Sequence, residues 1–169
     1  MVDERTRVLI LGSLPGEASL AQAQYYAHPR NQFWRLLAAL AQVALPETYG
    51  ARLDMLRALG VGLWDVVGSA ERVGSLDGAI RRPIANRLDD LIADLPHLQA
   101  VAFNGGRAHQ LGTPSLAGRR RLTLLSLPSS SPAYTLAFEL KLARWRELAP
   151  YLYAAPGPDR MDNLLRAHI

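Results

Sequence analysis

Cysteine is absent from the chain. That excludes disulfides, zinc ribbons and cysteine-ligated iron–sulfur clusters. The four histidines, His28, His97, His109 and His168, show no metal-ligand spacing, so neither a metal nor a cofactor is expected. Long charge blocks are missing as well, and a charged fraction of 20% spread through the chain argues against disorder. No apolar run approaches the length of a membrane span. The opening MVDERTR is polar and leads directly into a strand, without the pattern of a signal peptide. The expectation is a soluble, cytoplasmic monomer with no membrane partner.

What is present suits one compact domain: 169 residues, 49% hydrophobic, enough for a sizeable core. Net charge is +4, with arginine supplying nearly all the positive side, a weak pointer to an anionic partner. Four short apolar runs, 7–13, 61–67, 100–106 and 121–127, are almost continuous rather than alternating. That is the pattern of parallel strands covered on both faces. Helical spacing fills the gaps: Phe33, Leu36, Leu37 and Leu40; then Pro46 to Leu59; then Ile84, Leu88, Leu91, Ile92 and Leu95 with Pro83 in the first turn. A short helix after Gly106 and a longer one from Thr135 to Leu152 complete the set. Strands alternating with helices predict an α/β fold over 1–153. Pro156, Gly157 and Pro158 break the pattern and mark 154–169 as a tail, docked or loose.

In an open parallel sheet the loops at the carboxyl ends of the strands form the ligand crevice. Two such loops share the tripeptide Ser-Leu-Pro. The first, GSLPGEAS, offers backbone N–H groups around Gly12, Ser13, Leu14 and Gly16, without the spacing of a Walker loop, a dinucleotide fingerprint or a nucleophile elbow. Its plain alternative is a tight turn. The second, LPSSSPAY, sets Ser129, Ser130 and Ser131 between two prolines, either as a phosphate grip or with Ser131 capping a helix that begins at Pro132. Between them in sequence lies YYAHPRNQFW. Asn31 either caps the helix carrying Phe33 or uses its amide oxygen to hold a nucleophilic water while its nitrogen donates elsewhere. Tyr25 and Tyr26 either stack on a planar ligand or pack as core and rim aromatics. His28 can donate to a leaving group or a phosphate. Glu17 is the one carboxylate of the cluster, with a surface position as its alternative. Asn104, in FNGG, either reads a base edge or caps the short helix behind it. The 74–77 loop has no definite role.

GSLPGE, YYAHPRNQFW, FNGG and LPSSSPA, in that order on an α/β chain, resemble the uracil-DNA glycosylase superfamily, most of all its hypoxanthine-DNA (deoxyinosine) glycosylase branch, which neighbours the mismatch-specific uracil/thymine glycosylases. The resemblance covers roughly 7–150, and HPRNQFW with LPSSSPA is specific as a pair. It implies a three-layer α/β/α domain around a four-stranded parallel sheet, with damaged DNA crossing the carboxyl ends of the strands. It also implies monofunctional hydrolysis of the N-glycosidic bond of a deaminated base (hypoxanthine, or uracil or xanthine) in base excision repair. The catalytic asparagine of this branch corresponds to Asn31. Leu14 stands where mismatch-specific relatives carry the catalytic asparagine of a GINPG-like motif, so the first loop lacks that amide. In this scheme the first loop and Asn104 bind the flipped base, Tyr25 or Tyr26 stacks on it, the serines grip flanking phosphates, and Tyr134 fills the gap in the stack. The alternatives are a non-catalytic nucleotide- or nucleic-acid-binding module and, less favoured by the residue order, a small-molecule hydrolase.

Overall fold

The computed structural model describes residues 1–71, 81–119 and 121–153. The expected tail and the 74–77 loop lie outside the described residues. Apolar runs with no internal breaker form the strands β1 (Val8–Gly12), β2 (Val61–Asp65), β5 (Ala100–Asn104) and β6 (Thr123–Leu127). They build one parallel sheet in the order β2-β1-β5-β6. Helices α1 (Glu17–Gln22), α2 (Phe33–Ala41) and α3 (Tyr49–Ala58) connect β1 to β2. The chain then forms a separate antiparallel pair, β3 (Val67–Glu71) with β4 (Arg81–Ala85), before α4 (Leu88–Ala93) leads into β5. Helix α5 (Gly106–Gly112) joins β5 to β6, and α6 (Phe138–Trp145) with a 3-10 segment (Arg146–Tyr151) closes the described chain.

Alternate side chains of the central strand face opposite layers. Val8 and Ile10 pack with Leu36 and Leu37 of α2, Met55 and Leu56 of α3, and Trp145 of α6. Leu9 and Leu11 pack with Leu88 and Ile92 of α4 and Ala108 of α5. All four strand residues are fully buried, each contributing about 1.5–3 kcal/mol. The result is the three-layer α/β/α arrangement around a four-stranded parallel sheet. The chain leaves β1 for one edge of the sheet and β5 for the other, so the carboxyl ends of β1 and β5 flank a topological switch point.

Several expectations need correction. The helix expected from Ile84 starts only at Leu88, and Arg81–Ala85 is β4. Ile84 fits the helical stripe by spacing alone, while the Asn86 N–H donates at 2.8 Å to the carbonyl of Val66, the residue between β2 and β3. The run 61–67 is not one strand: β2 stops at Asp65, and Val67 opens β3 in a different sheet. β6 lies at the sheet edge and alternates half-buried with exposed positions rather than being covered on both faces. The helix expected over Thr135 to Leu152 is α-helical only through Phe138–Trp145. Pro150, which lacks an N–H, lies in the tighter 3-10 segment that follows. Pro46 to Leu59 shortens to Tyr49–Ala58, with Thr48 as the cap.

Candidate active site

The segment from Tyr25 to Gln32 crosses the carboxyl end of the sheet. At one end Tyr26, with a positive φ of 55°, turns its ring onto Phe33 at a centroid distance of 3.8 Å. Its hydroxyl lies beside Gly12, the last residue of β1. Tyr25 is held at both backbone groups: its N–H donates to the Tyr49 hydroxyl at 3.0 Å, and its carbonyl accepts from the Trp34 indole at 3.2 Å. Burial, then the nearby Asp65 carboxylate and Tyr49, push the Tyr25 phenol well above its ordinary pKa. That phenol stays protonated and remains a donor. At the other end the Gln32 N–H donates to the Ser130 carbonyl at 3.0 Å, fastening the segment to the serine loop.

Asn31 sits just before that fastening. Its N–H donates to the His28 carbonyl at 2.8 Å, and its Oδ1 accepts from the Phe33 N–H at 3.0 Å. The side chain does satisfy the first turn of α2, and this bond fixes the direction of the amide. One lone pair of the oxygen is committed to the backbone, and the second remains for a water. His28 Nδ1 accepts from the Arg30 N–H at 3.2 Å, so a neutral imidazole carries its proton on Nε2 and can donate there.

The serine loop is clamped from three sides. Asn104, at the end of β5, accepts from the Ser130 N–H and donates to the Ser130 hydroxyl, both at 2.8 Å. Both residues are buried. The Trp145 indole of α6 donates to the Pro128 carbonyl at 2.9 Å. Gly105 has φ 106° and ψ 159°, a conformation open essentially only to glycine. A Cβ there would lie 3.0 Å from that of Ser129. The Ser129 hydroxyl accepts from the Ser131 N–H, and the Ser131 hydroxyl accepts from the Ala133 N–H, each at 3.2 Å. Ser131 therefore caps a turn and not a helix, since α6 begins only at Phe138.

The expected site residues thus gather along the carboxyl ends of the strands, with differences in duty. Gly12 and Ser13 are buried at the switch point, where the Gly12 and Ser13 carbonyls accept from Val66 and Val67. Leu14 and Gly16 are half-buried, and Gly16 caps α1. Glu17 is exposed in the first turn of α1. Asn104 faces Ser130 and does not cap α5; its amide retains one N–H and one lone pair for a ligand. Tyr134 stands 47% exposed.

Two residues escape the reading from sequence. Lys141 is buried, donates to the Tyr134 carbonyl at 2.7 Å, and lies 5.4 Å from the centroid of that ring. Burial lowers its pKa. Nothing in FELKLARW distinguishes it from a surface lysine. Asp65 reads as a mere strand terminator, yet it pairs in register with Gly12 and its Oδ1 would stand 2.6 Å from a Cβ at that glycine. The carboxylate therefore leans across the end of β1 beside the Tyr26 hydroxyl. Its position at the carboxyl end of a parallel strand is the signal that could have found it.

Residues 1–152 match the family model described as the uracil DNA glycosylase superfamily. A hypoxanthine DNA glycosylase of Methanosarcina barkeri is 37% identical over 148 residues, 87% of this chain and 92% of the relative. Another, of Methanosarcina acetivorans, is 39% identical over 134 residues, 79% and 84% of the two chains. A Methanosarcina acetivorans protein solved by solution NMR, provisionally assigned as a uracil DNA glycosylase, superposes with a TM-score of 0.77 at 35% identity, covering 88% of this chain and 91% of that one. With four motifs in order on the matching three-layer fold, this chain belongs to the uracil DNA glycosylase superfamily.

Proposed function

We propose that this protein is a monofunctional DNA glycosylase that removes a deaminated base, hypoxanthine foremost and uracil or xanthine besides. The observation that carries the reading is the oriented Asn31 amide between the tyrosine segment and the clamped serine loop, at the strand ends of a glycosylase fold. The damaged nucleotide flips out of the duplex into the crevice. As the C1′–N bond lengthens, its electron pair leaves with the base and the sugar gains oxocarbenium character. Such a centre accepts a poorly activated nucleophile, so a water held by the free lone pair of Asn31 Oδ1 suffices. The water oxygen bonds to C1′ and loses a proton to solvent while the departing base gains one from solvent, leaving an abasic site and the free base.

Backbone donors of the first loop and the remaining donor of Asn104 stabilise charge developing on the base. Tyr25 or Tyr26 stacks on it. The His28 Nε2–H donates to the base or a nearby phosphate. The Ser129 and Ser131 hydroxyls, whose oxygens accept within the turn, donate their protons to flanking phosphates on the loop that Ser130 anchors, and Tyr134 takes the place of the flipped base in the stack. No helix among the described residues is long and apolar enough to cross a membrane. In this reading the enzyme works as a cytoplasmic monomer on damaged DNA.

The test incubates labelled duplexes carrying hypoxanthine, uracil or xanthine and cleaves the product with alkali. Wild type should release strand breaks at the damaged position. Asn31→Ala should lower the single-turnover rate by ~100-fold or more, the scale of losing one transition-state polar contact, while DNA affinity is kept. A near-wild-type rate in that variant would remove Asn31 from the mechanism. Release of no base by wild type would leave the reading as a DNA-binding module in which Asn31 only caps α2.

A further inference from the structure

Lys141 has no part in the reaction described above, yet its ammonium lies inside the protein. The residue is 1% exposed, and among the described residues no carboxylate lies within ion-pair distance of it. An unpaired buried charge costs folding free energy, and a methionine of similar length would fill the same space without that cost. Stability alone therefore does not account for a lysine here. Its one hydrogen bond among the described residues runs to the Tyr134 carbonyl at 2.7 Å, and the ammonium stands 5.4 Å from the centre of the Tyr134 ring. Side chains on a helix tilt toward its amino end, so Lys141 reaches back from α6 to the turn that precedes it. Trp145 lies one turn further along the same face of α6, and its indole holds the Pro128 carbonyl at 2.9 Å. One helix face thus grips both ends of the loop from Pro128 to Tyr134, while Asn104 grips its middle at Ser130. The Tyr134 N–H donates to the Ser131 carbonyl at 3.1 Å, so both backbone groups of Tyr134 are fixed while its side chain stays exposed.

Resting on the proposed glycosylase activity, we infer that Lys141 is a positioning residue, holding the Tyr134 backbone so that the ring enters the space a flipped base leaves. A wedge stabilises the flipped state most when its own backbone is ordered beforehand. A loop that had to order at the moment of flipping would lose part of the gain as conformational entropy. The bond from Lys141 goes to the carbonyl and leaves the ring free to turn about its side-chain torsions. Before DNA arrives, the ammonium attracts the ring and limits where it points. Lys141 touches neither base nor sugar in this arrangement. It acts through Tyr134.

The experiment uses a duplex with hypoxanthine opposite cytosine and 2-aminopurine as its neighbour, whose fluorescence rises when the hypoxanthine leaves the stack. Fluorescence amplitude and single-turnover release are measured for wild type, Lys141→Met, Tyr134→Ala and the double variant. Lys141→Met should bind the duplex within a fewfold of wild type and lose roughly 10-fold in release rate, the scale of one hydrogen bond to a charged group. Its fluorescence change should shrink with the rate. The double variant should fall no further than Tyr134→Ala alone, because two residues acting as one unit are not additive. A wild-type fluorescence change in Lys141→Met would overturn the inference, and so would one in Tyr134→Ala. Losses that multiply in the double variant would overturn it too, by giving Lys141 a structural duty apart from Tyr134. Should Lys141→Met fail to fold, Lys141→Gln takes its place, because its amide ends one atom short of the ammonium and loses the carbonyl. If wild type releases no hypoxanthine, the glycosylase reading itself fails; if it does and Lys141→Met flips the base normally, only the role of Lys141 does.

Discussion

Ser-Leu-Pro occurs twice at the strand ends, and the two copies are built differently. After β1, Ser13 is the first residue beyond the strand, buried, with its carbonyl accepting from Val67. After β6, Ser126 and Leu127 still belong to the strand, and only Pro128 leaves it. The first copy is shaped by what surrounds it: Gly12 leaves room for Asp65, and β2 with the start of β3 supports it from the side. The second copy is shaped by groups reaching in from three directions, the Asn104 side chain of β5, the Trp145 indole of α6 and the backbone N–H of Gln32 before α2. The same tripeptide thus gives a tight turn in the centre of the sheet and a clamped loop at its edge. Position in the strand order decides which.

The sharpest way to break this contrast is to remove the clamp and leave the central loop alone. Asn104→Ala leaves both the N–H and the hydroxyl of buried Ser130 without partners, at about 1–3 kcal/mol for each such group. Thermal unfolding should fall clearly, and DNA affinity should fall with it on every substrate. A variant that melts like wild type and binds DNA normally would show that the loop holds its shape without Asn104. Gly105→Ala attacks the same loop from the backbone. A residue with a side chain in that conformation costs roughly 1–3 kcal/mol, and its methyl would press on Ser129. Stability and DNA binding should drop together here too, with the hypoxanthine-to-uracil ratio unchanged.

The main strands were legible because a parallel strand covered by two layers has no room for polar residues, and RVLILGS and AVAFNGG show none in their centres. The candidate site was legible where polar residues stand at strand ends or in the loops beside them. Asn31, Asn104 and the serines are polar groups placed where packing alone would not put them. What escaped was pairing across distance. The clamp of Ser130 by Asn104 joins residues 26 apart, and nothing local to FNGG or LPSSSP announces it. Asp65 closes an apolar run and looks like its end. The antiparallel β3–β4 pair was hidden because Ile84 happens to fall in step with the α4 stripe.

Lys141 tests the edge loop through its charge. Because burial lowers its pKa, the native state binds fewer protons than the unfolded chain between that lowered value and the ordinary lysine range. Stability conferred by this site therefore rises with pH through that window, and below it the full cost of the buried charge is present. Lys141→Met should abolish this dependence, so the stability of wild type relative to the variant should improve from neutral pH toward pH ~10, read by denaturant melts. A gap that is flat with pH would mean that the ammonium is solvated.

The smallest effect is expected at the outer serines. Ser129 and Ser131 are half-buried, and their hydroxyls bond only neighbouring N–H groups of the same turn, at 3.2 Å each. Replacing both by alanine leaves the Ser130 clamp in place and removes two neutral local bonds worth about 0.5–1.5 kcal/mol each. DNA affinity should weaken a fewfold, by similar factors for hypoxanthine and uracil substrates, because phosphate contacts position the duplex and carry no base identity. Salt separates this from a charge effect. Binding by wild type should weaken as salt rises, because phosphate contacts release counterions. Neutral hydroxyls neutralise no phosphate, so the double variant should run parallel to wild type on a plot of log affinity against log salt. Titrations on two substrates at several salt concentrations measure both quantities together. A reordering of base preference at unchanged affinity would move these serines into the base pocket and dissolve the division between the edge loop and the central one.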